Sequence, residues 1–253
     1  MGGYNGRVIE VQQLTKLYDG LTAVRELSFR VARGEVVGLI GPNGAGKTTT
    51  LRCVVGIQAP SAGTVRIDGH DIVSDPLEAK RRLAFMPDEP QLFEYLTVVE
   101  HLRLVARLYG VRDAETKSRE LLETLDLAGK ARAVPTELSR GMRQKLALAC
   151  GLLHDPAALL FDEPLTGLDP LGIRHIKQMI VARAQAGAAV VVSSHLLHLV
   201  EEICTRIVII AHGAKVADGT MTELAAHPGL AGADLEEIFL RATGAESEAP
   251  DPS

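Results

Sequence analysis

The sequence predicts an α/β fold with a largely parallel central sheet and an inserted helical subdomain. Short β-branched runs alternate with longer segments of helical periodicity, which is typical of strands and helices arranged in layers. The runs VVGLI, ALLFD, AVVVS and IVII are almost wholly apolar, so we expect central strands that are buried on both faces. No strand-like run occurs between Pro90 and Pro156, where apolar residues recur at helical spacing, and this indicates a helical insertion at approximately residues 91–157.

Each element follows from one such run or periodic segment. The predicted strands are Ile9–Gln12, Thr22–Val31, Val36–Ile40, Thr64–Ile67, Leu83–Met86, Ala158–Asp162, Ala188–Ser193, Arg206–Ala211 and Lys215–Ala217. The predicted helices are Lys47–Val55, Val98–Tyr109, Asp113–Leu125, Gly141–Leu153, Leu171–Ala186 and Leu197–Cys204. Residues 245–253 are polar and contain proline, so we predict a disordered acidic tail after a folded domain that spans residues 1–244.

Composition limits the classes of function. The chain has 253 residues, and its 27 Lys plus Arg against 32 Asp plus Glu give a formal net charge of −5, which argues against binding to nucleic acid. Cys53, Cys150 and Cys204 lie far apart without metal-site spacing, as expected in a reducing compartment. Every apolar run is far shorter than the roughly 18 residues that a membrane-spanning helix requires, so we expect a cytosolic chain that does not cross a bilayer alone.

The glycine-rich segment 41–49, GPNGAGKTT, predicts a phosphate cradle, the name used below for these residues. It fits G-x-x-x-x-G-K-S/T, follows an apolar strand and opens a helix, as the motif requires. Its backbone N–H groups can close around phosphate oxygens, Lys47 can reach the β- and γ-phosphates, and the Thr48 hydroxyl can ligate Mg²⁺. A glycine-rich turn that binds nothing would leave Lys47 unexplained. The predicted nucleotide contacts are Gly41, Pro42, Asn43, Gly44, Ala45, Gly46, Lys47, Thr48 and Thr49.

Two adjacent acids, Asp162 and Glu163, end the apolar strand ALLFD. Adjacent carboxylates repel one another unless a cation or a proton-transfer task holds them together. Because successive strand residues face opposite sides, we expect the two acids to have different roles. Asp162 is predicted to bind Mg²⁺, and Glu163 to polarise the water that attacks the γ-phosphate. The alternative is a solvated acidic strand end before the turn-forming Pro164.

Five segments occur in the order and spacing of the ATP-binding cassette (ABC) family, which the sequence resembles from about Val8 to Arg241. They are GPNGAGKTT at 41–49, ELSRGMRQKL at 137–146, LLFDEP at 159–164, LTGLD at 165–169 and VVSSH at 191–195. The resemblance implies a P-loop NTPase core with a mixed, largely parallel sheet, an antiparallel β subdomain and the inserted α-helical subdomain. It also implies ATP and Mg²⁺ as ligands and an ATPase activity.

The resemblance assigns roles to five further residues. Tyr18 matches the aromatic residue that stacks on adenine in many relatives, and His195 matches the histidine that contacts the γ-phosphate and orients the catalytic carboxylate. Ser139 and Gly141 belong to the signature segment, which caps the γ-phosphate bound by a second nucleotide-binding subunit, and Asp169 reaches toward that opposite cradle. Without the resemblance, Ser139 and Asp169 are also well explained as ordinary helix caps.

The sequence departs from the family pattern at Asp88, where the family places a glutamine that touches Mg²⁺ and the attacking water. A carboxylate can ligate Mg²⁺ but cannot donate a hydrogen bond unless it is protonated, so the predicted metal ligands are Thr48, Asp88 and Asp162. The acid at this position, Met142 in place of the signature glutamine, and LEEIFL at 235–240 resemble the exporter subgroup, in which the membrane subunits are separate chains.

The leading hypothesis is therefore a motor subunit that forms a homodimer or heterodimer on ATP and hydrolyses it. It would lie at the cytoplasmic face of the cell membrane. There it would drive a separately encoded integral membrane permease in the direction of export. One alternative is an ABC ATPase that never touches a membrane, such as one that assists iron–sulfur cluster assembly. Another is a nucleotide-gated binding module without hydrolysis. A metal cluster of His195, His198, Glu201 and Glu202 is disfavoured, since its spacing matches no zinc pattern.

Overall fold

Two hydrogen-bonded sheets carry the fold in the residues that the computed structural model describes, which are 6–166, 170–226 and 232–244. The strands are β1 Arg7–Tyr18, β2 Leu21–Ala32, β3 Val36–Ile40, β4 Ala62–Ile67, β5 His70–Asp71, β6 Leu83–Met86, β7 Ala158–Asp162, β8 Ala189–Ser193, β9 Arg206–Ala211 and β10 Ala214–Gly219. The helices are α1 Lys47–Val54, α2 Pro76–Arg81, α3 Val98–Tyr109, α4 Ala114–Thr124, α5 Arg140–Leu152, α6 Pro170–Gln185, α7 Leu197–Ile203, α8 Met221–Ala225 and α9 Leu235–Thr243, with 3-10 helices at Ala128–Lys130 and Pro135–Glu137. Asp169 and the predicted tail 245–253 lie outside the described residues.

The larger sheet has the strand order β10-β9-β3-β8-β7-β6. Its strands β9, β3, β8, β7 and β6 pair in parallel, and β10 adds an antiparallel edge, so the predicted mixed, largely parallel sheet is confirmed. Every residue of β3, β7 and β8 is buried, as their unbroken apolar runs predict. Because parallel strands end at the same edge, the segments that follow Ile40, Asp162 and Ser193 meet there.

The smaller sheet, β2-β1-β4-β5, is antiparallel and packs on one face of the larger one. Leu14 and Leu27 of the small sheet share a buried cluster with Leu160 and Ile210 of the large sheet. The predicted antiparallel β subdomain is therefore confirmed. In its hairpin β1–β2, the Ala23 carbonyl of β2 lies against Gly46 of the phosphate cradle.

The helices α3, α4 and α5 lie between β6 and β7 in the chain, which confirms the inserted helical subdomain of the predicted fold class. A capping box starts α3: Thr97 Oγ1 accepts the Glu100 N–H, and the Glu100 carboxylate accepts the Thr97 N–H. The apolar faces of the three helices meet through Leu102, Leu122 and Leu146 in a second buried cluster. Among the described helices, each is too short or too polar to span a bilayer.

Several predicted boundaries are wrong for identifiable reasons. The strand predicted at Ile9–Gln12 runs from Arg7 to Tyr18, because a bulge with Gln13 at φ 49° interrupts its alternation without ending its pairing. The helix predicted from Gly141 begins at Arg140, because Ser139 caps it. The other ends differ by a few residues at most. The elements β5, α2, α8 and α9 were not predicted, since the first three are very short and the last has a strongly charged exposed face.

Candidate nucleotide-binding site

The phosphate cradle joins β3 to α1 at the carboxyl edge of the large sheet. Gly46 is the N-cap of α1 with φ 99°, and Lys47 is the first helical residue. The Lys47 ammonium donates hydrogen bonds to the carbonyl oxygens of Gly41 at 2.6 Å and Pro42 at 3.2 Å. The loop is therefore wrapped around its own lysine, and the first N–H groups of α1 provide the donors that an anion requires.

Close packing explains why glycine occupies two cradle positions. A Cβ on Gly46 would lie 2.5 Å from the Ala23 carbonyl oxygen of β2, and a Cβ on Gly41 would lie 2.3 Å from the Ile210 carbonyl oxygen of β9. Real Cβ atoms do not approach oxygen so closely, so any side chain would displace the backbone. Strands from both sheets thus fix the shape of the loop.

Lys47 is the main cation of the cradle, and it is only 8% exposed. Burial lowers the pKa of its ammonium from the ordinary value of 10.5, and the nearby carboxylates of Glu163 and Asp162 oppose that shift. The two carboxylates do not fully offset the burial of the Lys47 ammonium, so this ammonium favours the binding of a negatively charged ligand. Phosphate oxygens are ligands of that kind.

Asp162, Ser193 and Thr48 form a cluster of oxygen atoms beside the cradle. The parallel pairing of β7 with β8 sets Asp162 opposite Ser193, whose hydroxyl donates to Asp162 Oδ1 at 2.6 Å. The Thr48 hydroxyl donates to the same oxygen at 3.3 Å. Both Asp162 and Ser193 are buried. A hydroxyl and a carboxylate are ligands that Mg²⁺ prefers, so the donor set fits this ion.

Glu163 and His195 lie in contact just after the strands β7 and β8, at the carboxyl edge of the large sheet. The strand β7 ends at Asp162, and Glu163 turns away with φ 51° while its N–H donates to the Ser193 carbonyl at 3.2 Å. The two acids are thus separated by a left-handed turn and not, as we expected, by strand alternation. Glu163 Oε2 lies 2.8 Å from His195 Nδ1 and accepts the His195 backbone N–H at 3.3 Å.

The signature segment contains the start of α5. Ser139 is the N-cap, and its hydroxyl accepts the Met142 N–H at 3.2 Å. Ser139 is exposed and Gly141 is partly exposed, so this helix N-terminus faces solvent. An exposed helix N-terminus can hold an anion brought by another molecule.

The Asp88 carboxylate pairs with Arg140 and not with the oxygen cluster of Asp162, Ser193 and Thr48. Its Oδ1 is 3.0 Å from the Arg140 guanidinium, and both side chains are a little more than 40% exposed. Asp88, Gln91 and Arg140 line a cavity of about 250 Å³. The structure therefore brings the predicted metal ligands Thr48 and Asp162 together, and it pairs Asp88 with a cation.

Tyr18 ends β1 at the tip of the β1–β2 hairpin, and 37% of it is exposed. Its hydroxyl donates to Gln58, and the Lys16 ammonium lies 5.0 Å from the centre of its ring. The same hairpin carries Ala23, which packs against Gly46 of the cradle. An exposed aromatic ring on this hairpin is compatible with stacking on a base.

A comparison with family models decides which family this fold and site belong to. Residues 24–166 match the model described as ABC transporter, which is more than half of the chain. The chain belongs to the ABC transporter family. Its place within that family is that of an ATP-binding subunit, and such subunits are ATPases.

Individual ABC proteins resemble the chain over nearly its whole length. EcsA, an ABC-type transporter ATP-binding protein of Bacillus subtilis, is 34% identical over 93% of this chain and 96% of its own length. Nod factor export ATP-binding protein I of Paraburkholderia xenovorans is 40% identical over 91% of this chain and 76% of its own. A solved structure of an ATP-binding subunit of an ABC transporter is 35% identical, with a TM-score of 0.89 over 93% of this chain and 99% of that one.

Sequence reasoning missed two residues of this ABC site. Ser193 lies in the VVSSH segment but has no role in the sequence-based prediction, although the parallel pairing of ALLFD with AVVVS places it beside Asp162. Gln144 of α5 donates to the Thr166 carbonyl at 3.4 Å and so joins the signature helix to the segment before Asp169. The disfavoured metal cluster finds no support, because the described residues contain no group of three or more potential ligands close enough to bind a metal.

Proposed function

We propose that this ABC protein is the ATP-hydrolysing motor of an exporter, which dimerises on ATP and acts on a separate membrane permease. The observation that carries the proposal is the contact between Glu163 and His195 beside the cradle. A carboxylate held by a histidine next to a phosphate site is equipped to orient an attacking water. A site that only binds nucleotide has no need of this pair.

Each group in the site has a task in hydrolysis. Lys47 compensates the charge of the phosphates, and Thr48 with Asp162 would hold Mg²⁺, which neutralises charge on the phosphate oxygens when it is bound. Ser193 orients Asp162 through its 2.6 Å hydrogen bond. Glu163 polarises the water, and His195 holds Glu163 in place.

The position of the signature helix supports the proposed dimer. An exposed helix N-terminus with Ser139 as its cap can bind an anion, and ATP in the cradle of a second subunit supplies a γ-phosphate. Two subunits arranged head to tail would then enclose two nucleotides. Asp169 would reach across the same interface, as the family resemblance implies.

A groove between α3 and α4 supports a permease partner. It measures about 850 Å³ and is lined by Ala, Val and Leu side chains together with Arg103, Arg107 and Arg119, against the single acid Glu115. An amphipathic helical segment with acidic residues would complement this surface. Such a segment of a permease would hold the protein at the cytoplasmic face of the membrane. The name of the Nod factor export relative is the support for export as the direction.

Two variants that we expect to be inactive test hydrolysis and the head-to-tail dimer together. Glu163→Gln should abolish turnover but keep ATP-dependent dimers, as measured by light scattering after gel filtration. Ser139→Arg should keep nucleotide binding and stop turnover, because it blocks the site of the other subunit. Mixing the two variants creates heterodimers with one intact site, so turnover should return.

The outcomes separate the alternatives clearly. Glu120→Gln, an exposed acid on α4, is the matched control and should hydrolyse ATP like the parent. If Glu163→Gln hydrolyses ATP at the parental rate, Glu163 is not catalytic. A mixture that stays inactive would refute the head-to-tail dimer. An inactive parent would favour the nucleotide-gated binding module. Failure of the parent to copurify with any integral membrane protein would favour the ABC ATPase that acts away from membranes.

A further inference from the structure

The ion pair of Asp88 with Arg140 connects two parts of the fold that are far apart in the sequence. Asp88 follows β6, the edge strand of the large sheet, by two residues, whereas Arg140 is the first residue of α5 in the helical subdomain. Their charged groups are 3.0 Å apart. The pair therefore links the sheet that carries the cradle to the helix whose N-terminus carries Ser139.

The surroundings of Asp88 restrict where its carboxylate can lie. Pro87 precedes it and Pro90 follows two residues later, and each proline ring fixes its own φ and limits the residue before it. The loop is thus a stiff extension of β6. Arg140 is equally well placed, because its backbone is part of the capped first turn of α5.

Charge explains why Arg140 needs this partner. It occupies the first turn of α5, where the helix dipole is positive and a cation is unfavourable. No acidic residue occurs in that first turn. Asp88, supplied from the sheet, offsets the charge and gives the guanidinium a fixed direction.

We propose that Asp88 is a positioning residue for the signature helix and not a ligand of Mg²⁺. By holding Arg140, it sets the position of Ser139 and Gly141 relative to the sheet, and this position determines how well α5 meets the nucleotide of a second subunit. The inference rests on the proposed function, since it requires the ATP-enclosing dimer. The hydrogen bonds that hold Thr48, Asp162 and Ser193 together do not involve Asp88, whose carboxylate pairs with Arg140 instead.

The pair should affect dimerisation more than stability. Exposed ion pairs typically contribute about 1 kcal/mol or less to folding, so variants of either residue should fold. A double-mutant cycle isolates the coupling between the two side chains. The cycle consists of Asp88→Asn, Arg140→Gln and both together, each in the Glu163→Gln background, where ATP-dependent dimers accumulate.

The readouts separate positioning from metal binding. Each single variant should weaken ATP-dependent dimerisation, measured by sedimentation, by roughly five- to tenfold, and the double variant should be no worse than either, as expected for coupled residues. Mn²⁺ binding in the presence of ATP, measured by electron paramagnetic resonance at protein concentrations too low for dimers to form, should not change. The charge swap Asp88→Arg with Arg140→Asp should restore part of the dimerisation. Glu89→Gln, an exposed neighbour in the same cavity, is the control and should leave dimerisation unchanged.

Three results would overturn the inference. Additive effects of the two substitutions would show that they act independently. Unchanged dimerisation in both single variants would show that the pair has no role in it. Weaker Mn²⁺ binding in Asp88→Asn but not in Arg140→Gln would return Asp88 to the metal site. If the Glu163→Gln background itself forms no dimers with ATP, the proposed function fails first, and the two failures are thus distinguishable.

Discussion

Glu163 and His195 are joined through a single carboxylate oxygen. Oε2 of Glu163 lies 2.8 Å from the ring Nδ1 of His195 and also accepts the backbone N–H of His195. With one oxygen engaged twice, the carboxylate has a fixed orientation, which a group that polarises an attacking water requires. The imidazole is 53% exposed, so its other face is open to a ligand.

Removal of this imidazole should slow hydrolysis without preventing ATP binding. We expect His195→Ala to lower kcat by about 10²- to 10³-fold, because it removes the group that orients the carboxylate. The affinity for ATP should change little, since Lys47 and the cradle remain. Steady-state turnover and equilibrium nucleotide titration measure the two effects. His198→Ala, an exposed histidine on α7, is the control, and equal losses in both variants would contradict the specific role of His195.

The buried hydroxyl of Ser193 should control the metal requirement. Ser193→Ala removes the hydrogen bond that orients Asp162, so the Mg²⁺ concentration for half-maximal turnover should rise by about 10- to 100-fold. Ser194→Ala is the matched control, because this serine is equally buried but its hydroxyl accepts the Leu196 N–H instead. The idea is wrong if both variants require Mg²⁺ at the same concentration.

Two glycines of the cradle should differ in their tolerance of a side chain. Both have positive φ, 78° at Gly44 and 99° at Gly46, so alanine at either costs about 1 kcal/mol in backbone strain. Only at Gly46 does the added Cβ meet a carbonyl, that of Ala23, whereas nothing lies within 4 Å at Gly44. Gly46→Ala should therefore cost a further ~1–3 kcal/mol. Thermal unfolding should show at least twice the loss in Tm at Gly46, and equal losses would contradict the close approach.

The lowered pKa of Lys47 predicts that ATP binding takes up a proton in alkaline solution. Burial lowers this pKa below its ordinary value of 10.5, and phosphate oxygens would raise it again. Between the two values, free Lys47 is partly neutral and bound Lys47 is charged. ATP affinity should therefore fall as pH rises through this window, a dependence that Lys47→Met should lack. Calorimetry in two buffers of different ionisation enthalpy measures the proton uptake, and equal heats would exclude it.

Local chemistry explains what could be predicted from the sequence. The strand β3 and the cradle are adjacent in the chain, so an apolar run followed by glycines and Lys47 contains the whole signal. The strands β7 and β8 are buried on both faces, so each appears in the sequence as an unbroken apolar run. The inserted helices show their apolar periodicity directly in the sequence.

Long-range pairing explains what could not be predicted. Ser193 reaches Asp162 only because β8 pairs with β7 in one particular register, which is set by the whole sheet. Asp88 and Arg140 are 52 residues apart, so no local pattern connects them. The bulge at Gln13 hides most of β1 from an analysis based on alternation.

The carbonyls of Ala23 and Ile210, which press on Gly46 and Gly41, give the cradle walls that lie far from it along the chain. A short peptide that carries only β3, the glycine-rich turn and α1 would possess every motif letter and yet lack both walls. Transplanting those letters into another scaffold should consequently fail to confer triphosphate affinity unless neighbouring backbones of the same shape come with them. Recognition of the nucleotide is in this sense a property of the folded whole, and not of the nine residues by which it is noticed.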